Sequence, residues 1–200
     1  MLKVSRIAAA LGLVTAMAST TANAVPYPNA PSFIDRLPQA ARIVESRPQP
    51  TPIGYVIFCM TYANQCNRAD GGGRVHLDQD TWTLLDNVNR KVNDRIAPDA
   101  QKGTAEWSLT TTSGNCNDYA VQKRNELIER GISPSALSLS VVKTRRNEGH
   151  LILTVRTDHG DYVLDNLRNG IVAWDRTDYR WISVQSNDNP NNWVRVSARF

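Results

Sequence analysis

The sequence predicts an α+β fold in which N-terminal helices pack on an antiparallel β-sheet. Two observations carry this expectation. Apolar residues recur at spacings of three and four before residue 130, and from Leu137 onward the pattern changes to short apolar runs separated by turn residues. Helices first and strands afterwards is the order of segregated layers, because parallel βαβ units would alternate the two.

The chain opens on a segment that reads as a secretory signal peptide, residues 1–24. Lys3 and Arg6 form a basic start, Ile7 to Ala18 is an apolar run too short to span a bilayer comfortably, and Ala22-Asn23-Ala24 is a small-x-small cleavage site. No later run is long and apolar enough to cross a membrane, so no membrane span is expected after cleavage. The remainder, 25–200, is a size suited to one domain. Residues 25–74 read as a lead-in to a core at 75–200. Pro26, Pro28, Pro31, Pro38, Pro48, Pro50 and Pro52 make its first part an extended surface segment poor in backbone donors. Tyr55-Val56-Ile57-Phe58-Cys59 reads as a short β-like run, and Asp70-Gly71-Gly72-Gly73 as a loop.

A long helix is expected from Asp80 to Ile96. Trp82, Leu85, Val88, Val92 and Ile96 form one apolar stripe suited to core packing, Asp78 or Asp80 can cap its start, and Pro98 stops it. A second helix is expected over Cys116 to Arg130. Asn115 can cap it, Asp118 stands where a capping box needs an acceptor, and Gly131 supplies the left-handed stop. Strands are then expected at Leu137–Lys143, His150–Arg156, Tyr162–Leu167, Ile171–Trp174 and Trp181–Gln185. Turns fall at Asp158-His159-Gly160, Asn169-Gly170 and Asn187–Asn191.

The formal net charge is +4, and two of those charges belong to the signal segment. No basic run is longer than Arg145-Arg146, which argues against a nucleic-acid partner. The three cysteines are an odd set in a chain bound for an oxidising compartment. Cys59 and Cys66 can close a short loop as a disulfide. Cys116 is then left over, and an unpaired thiol in an exported protein is a candidate nucleophile. No further Cys or His stands at zinc-ligand spacing nearby.

Cys116 at a helix start meets free backbone N–H groups that favour a thiolate. His76 follows the glycine loop and His159 occupies a turn, so both read as exposed. His150 begins an apolar strand directly after Gly149 and is the candidate base. For the third member, a two-residue turn at His159-Gly160 would set Asp165 opposite Thr154 and Asn169 opposite His150. Asp165 shares the face of His150 but is displaced along the strand, and register alone leaves Asp165 and Asn169 both open. An oxyanion would be met by the backbone N–H of Cys116, with Trp107 and the Thr110–Ser113 run, Ser113 included, as candidates for the second donor.

Trp107, Gly114-Asn-Cys116-Asn-Asp118-Tyr-Ala, Gly149-His150, Val163-Leu-Asp165-Asn166 and Tyr179-Arg-Trp181, in this order over roughly residues 75–185, resemble the bacterial transglutaminase-like cysteine proteinases, which include the LapG-type periplasmic proteases. The resemblance implies a papain-like/transglutaminase core, a Cys116–His150–Asp165 triad, a protein or peptide substrate and a periplasmic or secreted location. LapG-type proteases carry acidic residues on both sides of the cysteine and use acidic side chains there for calcium. Here Asn115 and Asn117 stand in those places, with Asp118 as the one weak metal candidate, so no cofactor is expected and calcium dependence is not.

The function expected is an exported cysteine peptidase acting on an envelope or surface protein. A transglutaminase-type acyltransferase would share its first half-reaction. A non-catalytic envelope binding module would instead use Trp174, Tyr179, Trp181 and Trp193 as a surface patch, although core packing is the simpler role for those aromatics.

Overall fold

The computed structural model describes residues 32–68 and 73–197. The expected signal peptide, the start of the Pro-rich segment and most of the Asp70–Gly73 loop lie outside them. Within the described residues a seven-stranded, wholly antiparallel sheet forms one layer. Its strands are β1 (Glu45–Gln49), β4 (Leu137–Lys143), β5 (Gly149–Thr157), β6 (Gly160–Leu164), β7 (Val172–Ala173), β8 (Arg180–Gln185) and β9 (Trp193–Val196), in spatial order β1-β9-β8-β4-β5-β6-β7. A separate parallel pair, β2 (Ala97–Pro98) and β3 (Ser113–Gly114), ties the chain after the long helix to the stretch before Cys116.

Helices α2 (Gln79–Arg95) and α3 (Cys116–Glu129) follow the expected boundaries closely. Asp78 caps α2 by accepting the Thr81 N–H at 2.7 Å. The stripe Leu85, Val88, Val92 and Ile96 is buried in the main core, and each such side chain contributes about 1.5–3 kcal/mol by leaving water. That core joins the helices to Leu139, Leu151, Leu153, Val155 and Leu164 of the sheet. The alternate residues of the same strands, Val142, Ile152 and Val163, form a second cluster with Ile43, Trp174, Val184 and Val196.

Two expectations for the lead-in are overturned. Tyr55–Cys59 is not β-like but lies in a helix, α1 (Ile53–Thr61). Tyr55 and Phe58 are buried three residues apart while Val56, Ile57 and Met60 are exposed, which is a helical period. The β-branched pair Val56-Ile57 imitates a strand, but the rings decide the outcome: Tyr55 packs on Trp107 and Trp193 at centroid distances of 6.1 and 5.7 Å. The disulfide Cys59–Cys66 is present and fastens the end of α1 to the following 3-10 turn. The Pro-rich stretch is also more than a surface lead-in, because β1 is an edge strand paired with β9. Pro48 is tolerated there because an edge strand can leave one backbone position without a ladder donor.

The residues before β1 are anchored by Asp161, which is fully buried. Its carboxylate accepts the Ile43 N–H and Arg74 Nη1, both at 2.7 Å. The β5–β6 turn lies one residue earlier than expected, at Asp158-His159, with Thr157 paired to Gly160. Gly160 has φ of +114°, and a Cβ there would meet the Ala40 carbonyl oxygen at 2.2 Å. Gly160→Ala is therefore expected to destabilise by about 1–3 kcal/mol, a drop of several degrees in Tm, whereas Gly170→Ala, with nothing within 4 Å of its Cβ, is expected to be close to neutral. Thermal unfolding of the two variants checks this.

Candidate active site

Helix α3 starts at Cys116 because a complete capping box holds its first turn. The Asn115 side chain accepts from the Asn117 N–H at 3.1 Å, and Asp118 Oδ2 accepts the Asn115 N–H at 2.9 Å. Asp118 is fully buried and its other oxygen is also occupied, by Lys102 Nζ at 2.5 Å and the Ser108 N–H at 2.9 Å. Gly114 makes this possible, since a Cβ at that position would stand 2.2 Å from Asp118 Oδ2. The turn that presents Cys116 is thus fixed by one carboxylate with three donors. Cys116 is the one free cysteine, half-buried, with its thiol 3.9 Å from Asn117 Oδ1. Its backbone N–H has no partner among the described residues and is available to a ligand oxygen.

His150 enters from the start of β5 and Asp165 from just beyond β6. His150 Nε2 lies 2.8 Å from Asp165 Oδ1, and both residues are buried. The shifted turn is the reason: the observed register carries Asp165 to the level of Ile152, nearer to His150 than the expected pairing allowed, and β6 ends at Leu164, so Asp165 is free of the ladder. Asn169, the alternative partner, is engaged elsewhere. Its side-chain oxygen accepts from Asn93 Nδ2 at 2.9 Å and its carbonyl accepts from Asn89.

Burial by itself pulls the pKa of His150 down. The hydrogen-bonded Asp165 carboxylate and the neighbouring Cys116 outweigh it and raise the value to about 9. Burial likewise pushes Asp165 up, but the hydrogen bond and charge of His150, the Tyr179 hydroxyl and the Leu167 N–H bring it below the ordinary carboxylate value. At neutral pH the imidazole is therefore protonated beside an ionised carboxylate.

Tyr179 joins this pair, a contact that sequence reasoning missed. Its hydroxyl donates to Asp165 Oδ2 at 2.5 Å, its ring meets that of His150 edge-on at 5.7 Å, and the Arg168 guanidinium sits 5.5 Å from its centroid. Tyr179 stands in a quoted motif, but a tyrosine before a strand carries no sign of which acid it will meet.

Other expectations need correction. Trp107 is packed in the aromatic core and spends its indole N–H on the Thr104 carbonyl at 3.0 Å, so it offers no oxyanion donor. The Ser113 N–H goes to Thr111 Oγ1 at 3.2 Å, which removes that backbone donor too. The four aromatics take the core-packing role preferred from the sequence over a surface patch: Trp193 and Trp174 are buried, Trp181 packs edge-on against Trp174 at 5.3 Å, and the Tyr179 hydroxyl is committed to Asp165. His76 and His159 are exposed beside Asp158, away from the other site residues, as expected.

Among the described residues no cluster of three or more His, Cys, Asp or Glu side chains could hold a metal ion. Around Cys116 most oxygens that could meet a cation are engaged: both Asp118 oxygens accept hydrogen bonds and one faces the Lys102 ammonium, Asn115 Oδ1 is spent on the helix cap, and Asn115 and Asn117 direct their amide N–H groups to the carbonyls of Lys102 and Thr104.

A free cysteine at the N-terminus of a helix packed on an antiparallel sheet, with a His–Asp pair supplied by two adjacent strands, defines a thiol enzyme of the papain-like/transglutaminase class. Residues 45–199 match the model of the bacterial transglutaminase-like cysteine proteinases, and the chain belongs to that family. It is a transglutaminase-like cysteine peptidase. The match begins at β1, well before the stretch in which the sequence motifs lie. Similar solved structures are those of Legionella pneumophila LapG. The calcium-bound form is 20% identical, covers 59% of this chain and 72% of that one, and has a TM-score of 0.49. The EGTA-treated form is 22% identical, with coverages of 59% and 68% and a TM-score of 0.49. A further LapG structure is 23% identical, with coverages of 51% and 62% and a TM-score of 0.45. No curated relative matches the chain.

The His150 ring is expected to titrate at about 9, followed by its NMR resonances. In Asp165→Asn the charge that raises it is gone, so the titration is expected to move to clearly lower pH. A value near 6.5 in the native protein would contradict the geometry.

Proposed function

We propose that this chain is an exported cysteine endopeptidase that cleaves a protein of the cell envelope or surface, with Cys116 as nucleophile, His150 as proton carrier and Asp165 as the group that orients the imidazole. The observation that carries this reading is the buried 2.8 Å His150–Asp165 pair set against the one free thiol of the chain.

The chemistry follows from the charges. The Cys116 thiolate attacks the carbonyl carbon of the scissile peptide bond, and the developing oxyanion is met by the Cys116 N–H. Protonated His150 gives its proton to the leaving amine as the C–N bond breaks, leaving a thioester on Cys116. Neutral His150 then takes a proton from water as it attacks the thioester, and the thiolate and a carboxylic acid product are released. Asp165 keeps the imidazole in place throughout, and Tyr179 keeps Asp165 in place.

Export is supported by the basic start, the short apolar run and the Ala22-Asn23-Ala24 site, and by a disulfide that needs an oxidising compartment. Solved LapG structures include calcium-bound and EGTA-treated forms. For this chain the reading is calcium-independent, because Lys102 already neutralises Asp118 from within the fold.

Cys116→Ala and His150→Ala are each expected to lower peptide hydrolysis by about a thousandfold or more with the fold intact, and Asp165→Asn by less. Comparing envelope proteins from cells carrying the native protein or Cys116→Ala by mass spectrometry should reveal a substrate whose cleavage requires the thiol. Full hydrolysis by Cys116→Ala would end this reading. Turnover is expected to be unchanged by a calcium chelator. Loss of activity on chelation, recovered by micromolar calcium, would contradict the role given to Lys102.

A further inference from the structure

A groove of about 730 Å³ opens beside the second apolar cluster, over β8, β9 and the 3-10 turn Trp174–Arg176, and the chemistry above makes no use of it. Trp174, Tyr179 and Trp181 line it together with Asp175, Arg180 and Arg195. Trp174 is buried and Trp181 stands edge-on to it at 5.3 Å, so the apolar wall is built from packed rings. The volume is in the range of pockets that enclose a ligand.

Charge says what fits there. Arg180 and Arg195 are exposed. Arg180 donates to the neutral Asn147 Oδ1 at 3.0 Å, and among the described residues neither arginine makes an ion pair. Arg47 of β1 and Arg176, each next in sequence to a lining residue, are also exposed and also without an ion pair among the described residues. The acids of these elements are spent elsewhere: Asp178 is held by Arg145 and Arg168, and Glu45 by Arg156, each at 2.9 Å. Asp175 is left as the acid of the groove against Arg47, Arg176, Arg180 and Arg195, an excess of positive charge that an acidic ligand complements.

Place says what the ligand is. Tyr179 forms part of the groove and also touches the triad, since its hydroxyl donates to Asp165 Oδ2 at 2.5 Å and its ring meets that of His150 at 5.7 Å. His150 in turn neighbours Cys116. An extended polypeptide covers about 3.3–3.6 Å per residue, so a chain lying in the groove has residues at the thiol only a few positions away. We propose that this groove is a substrate subsite that takes an acidic segment of the polypeptide, with Arg180 and Arg195 meeting its carboxylates and the Tyr179 and Trp181 rings its apolar side chains. The inference rests on the peptidase reading and adds to it a substrate class: chains with acidic residues a few positions to one side of the cleaved bond. Arginine–carboxylate pairs of this exposed kind act mainly on capture of the substrate and weaken with salt.

The test is cleavage of a mixed peptide library, made by digesting a proteome, with the cut sites read by mass spectrometry for the native protein and for Arg180→Ala/Arg195→Ala. The native protein is expected to favour peptides with Asp or Glu to one side of the cut, and the double variant to lose about tenfold in kcat/KM on those peptides and with it the preference. Cut sites without acidic enrichment, or an enrichment that persists in the folded double variant, would overturn the proposal and leave the peptidase reading standing. Acidic peptides that slow the cleavage of others without being cut would make the groove a docking site for another partner and overturn the substrate assignment. No cleavage of any peptide by the native protein would overturn the peptidase reading and the proposal with it. Should the double variant not fold, the native protein decides by itself: a preference for acidic peptides that fades at high salt supports the proposal, and one indifferent to salt overturns it.

Discussion

The site depends on keeping the Asp165 carboxylate ionised while it is buried. A buried carboxylate without donors takes up a proton, and a protonated Asp165 would neither hold the His150 imidazolium nor fix its orientation. The fold prevents this with donors from three places. His150 Nε2 comes from β5, the Leu167 N–H from the turn after β6, and the Tyr179 hydroxyl from the approach to β8. Each donor lies on a different segment, so the charge state of one oxygen pair is tied to the assembly of the sheet. Asn93 of α2 adds a bond to the Asp165 carbonyl at 3.0 Å, which ties the same residue to the helical layer.

A second buried carboxylate performs the matching task for the turn that presents Cys116. Asp118 gathers the Asn115 N–H, the Ser108 N–H and the Lys102 ammonium, and thereby closes the loop at 99–108 onto the start of α3. In the LapG-type pattern that the sequence resembles, acids flank the cysteine on both sides. Here neutral amides take those places, and the charge balance around Asp118 is met by a lysine of the chain itself. An ammonium on the polypeptide, unlike a bound cation, is not removed by dilution or chelation.

Much of this was legible in the sequence, for identifiable reasons. The helices at 79–95 and 116–129 were marked by apolar periodicity and by cap residues, and both signals are local. Cys116 was marked by being the odd cysteine, and His150 by standing at the edge of an apolar strand. What was not legible depended on long-range partners. The residues of α1 look like a strand until Trp107 and Trp193 supply the rings against which Tyr55 packs. The edge strand β1 is hidden by Pro48 and appears only through its pairing with β9. The choice between Asp165 and Asn169 turned on a one-residue shift of the hairpin turn, and Asp-His-Gly accommodates either register until Gly160 meets the Ala40 backbone.

The central claim is that Cys116 and His150 act as one nucleophilic unit. Its most direct test is covalent trapping with a peptidyl vinyl sulfone, followed by peptide mapping of the adduct in native protein and in His150→Ala. A single adduct on Cys116, formed rapidly in the native fold and slowed by orders of magnitude in folded His150→Ala, is the result this account predicts. An adduct on Cys116 that forms at the same rate without His150, or no adduct on the native protein, would contradict it.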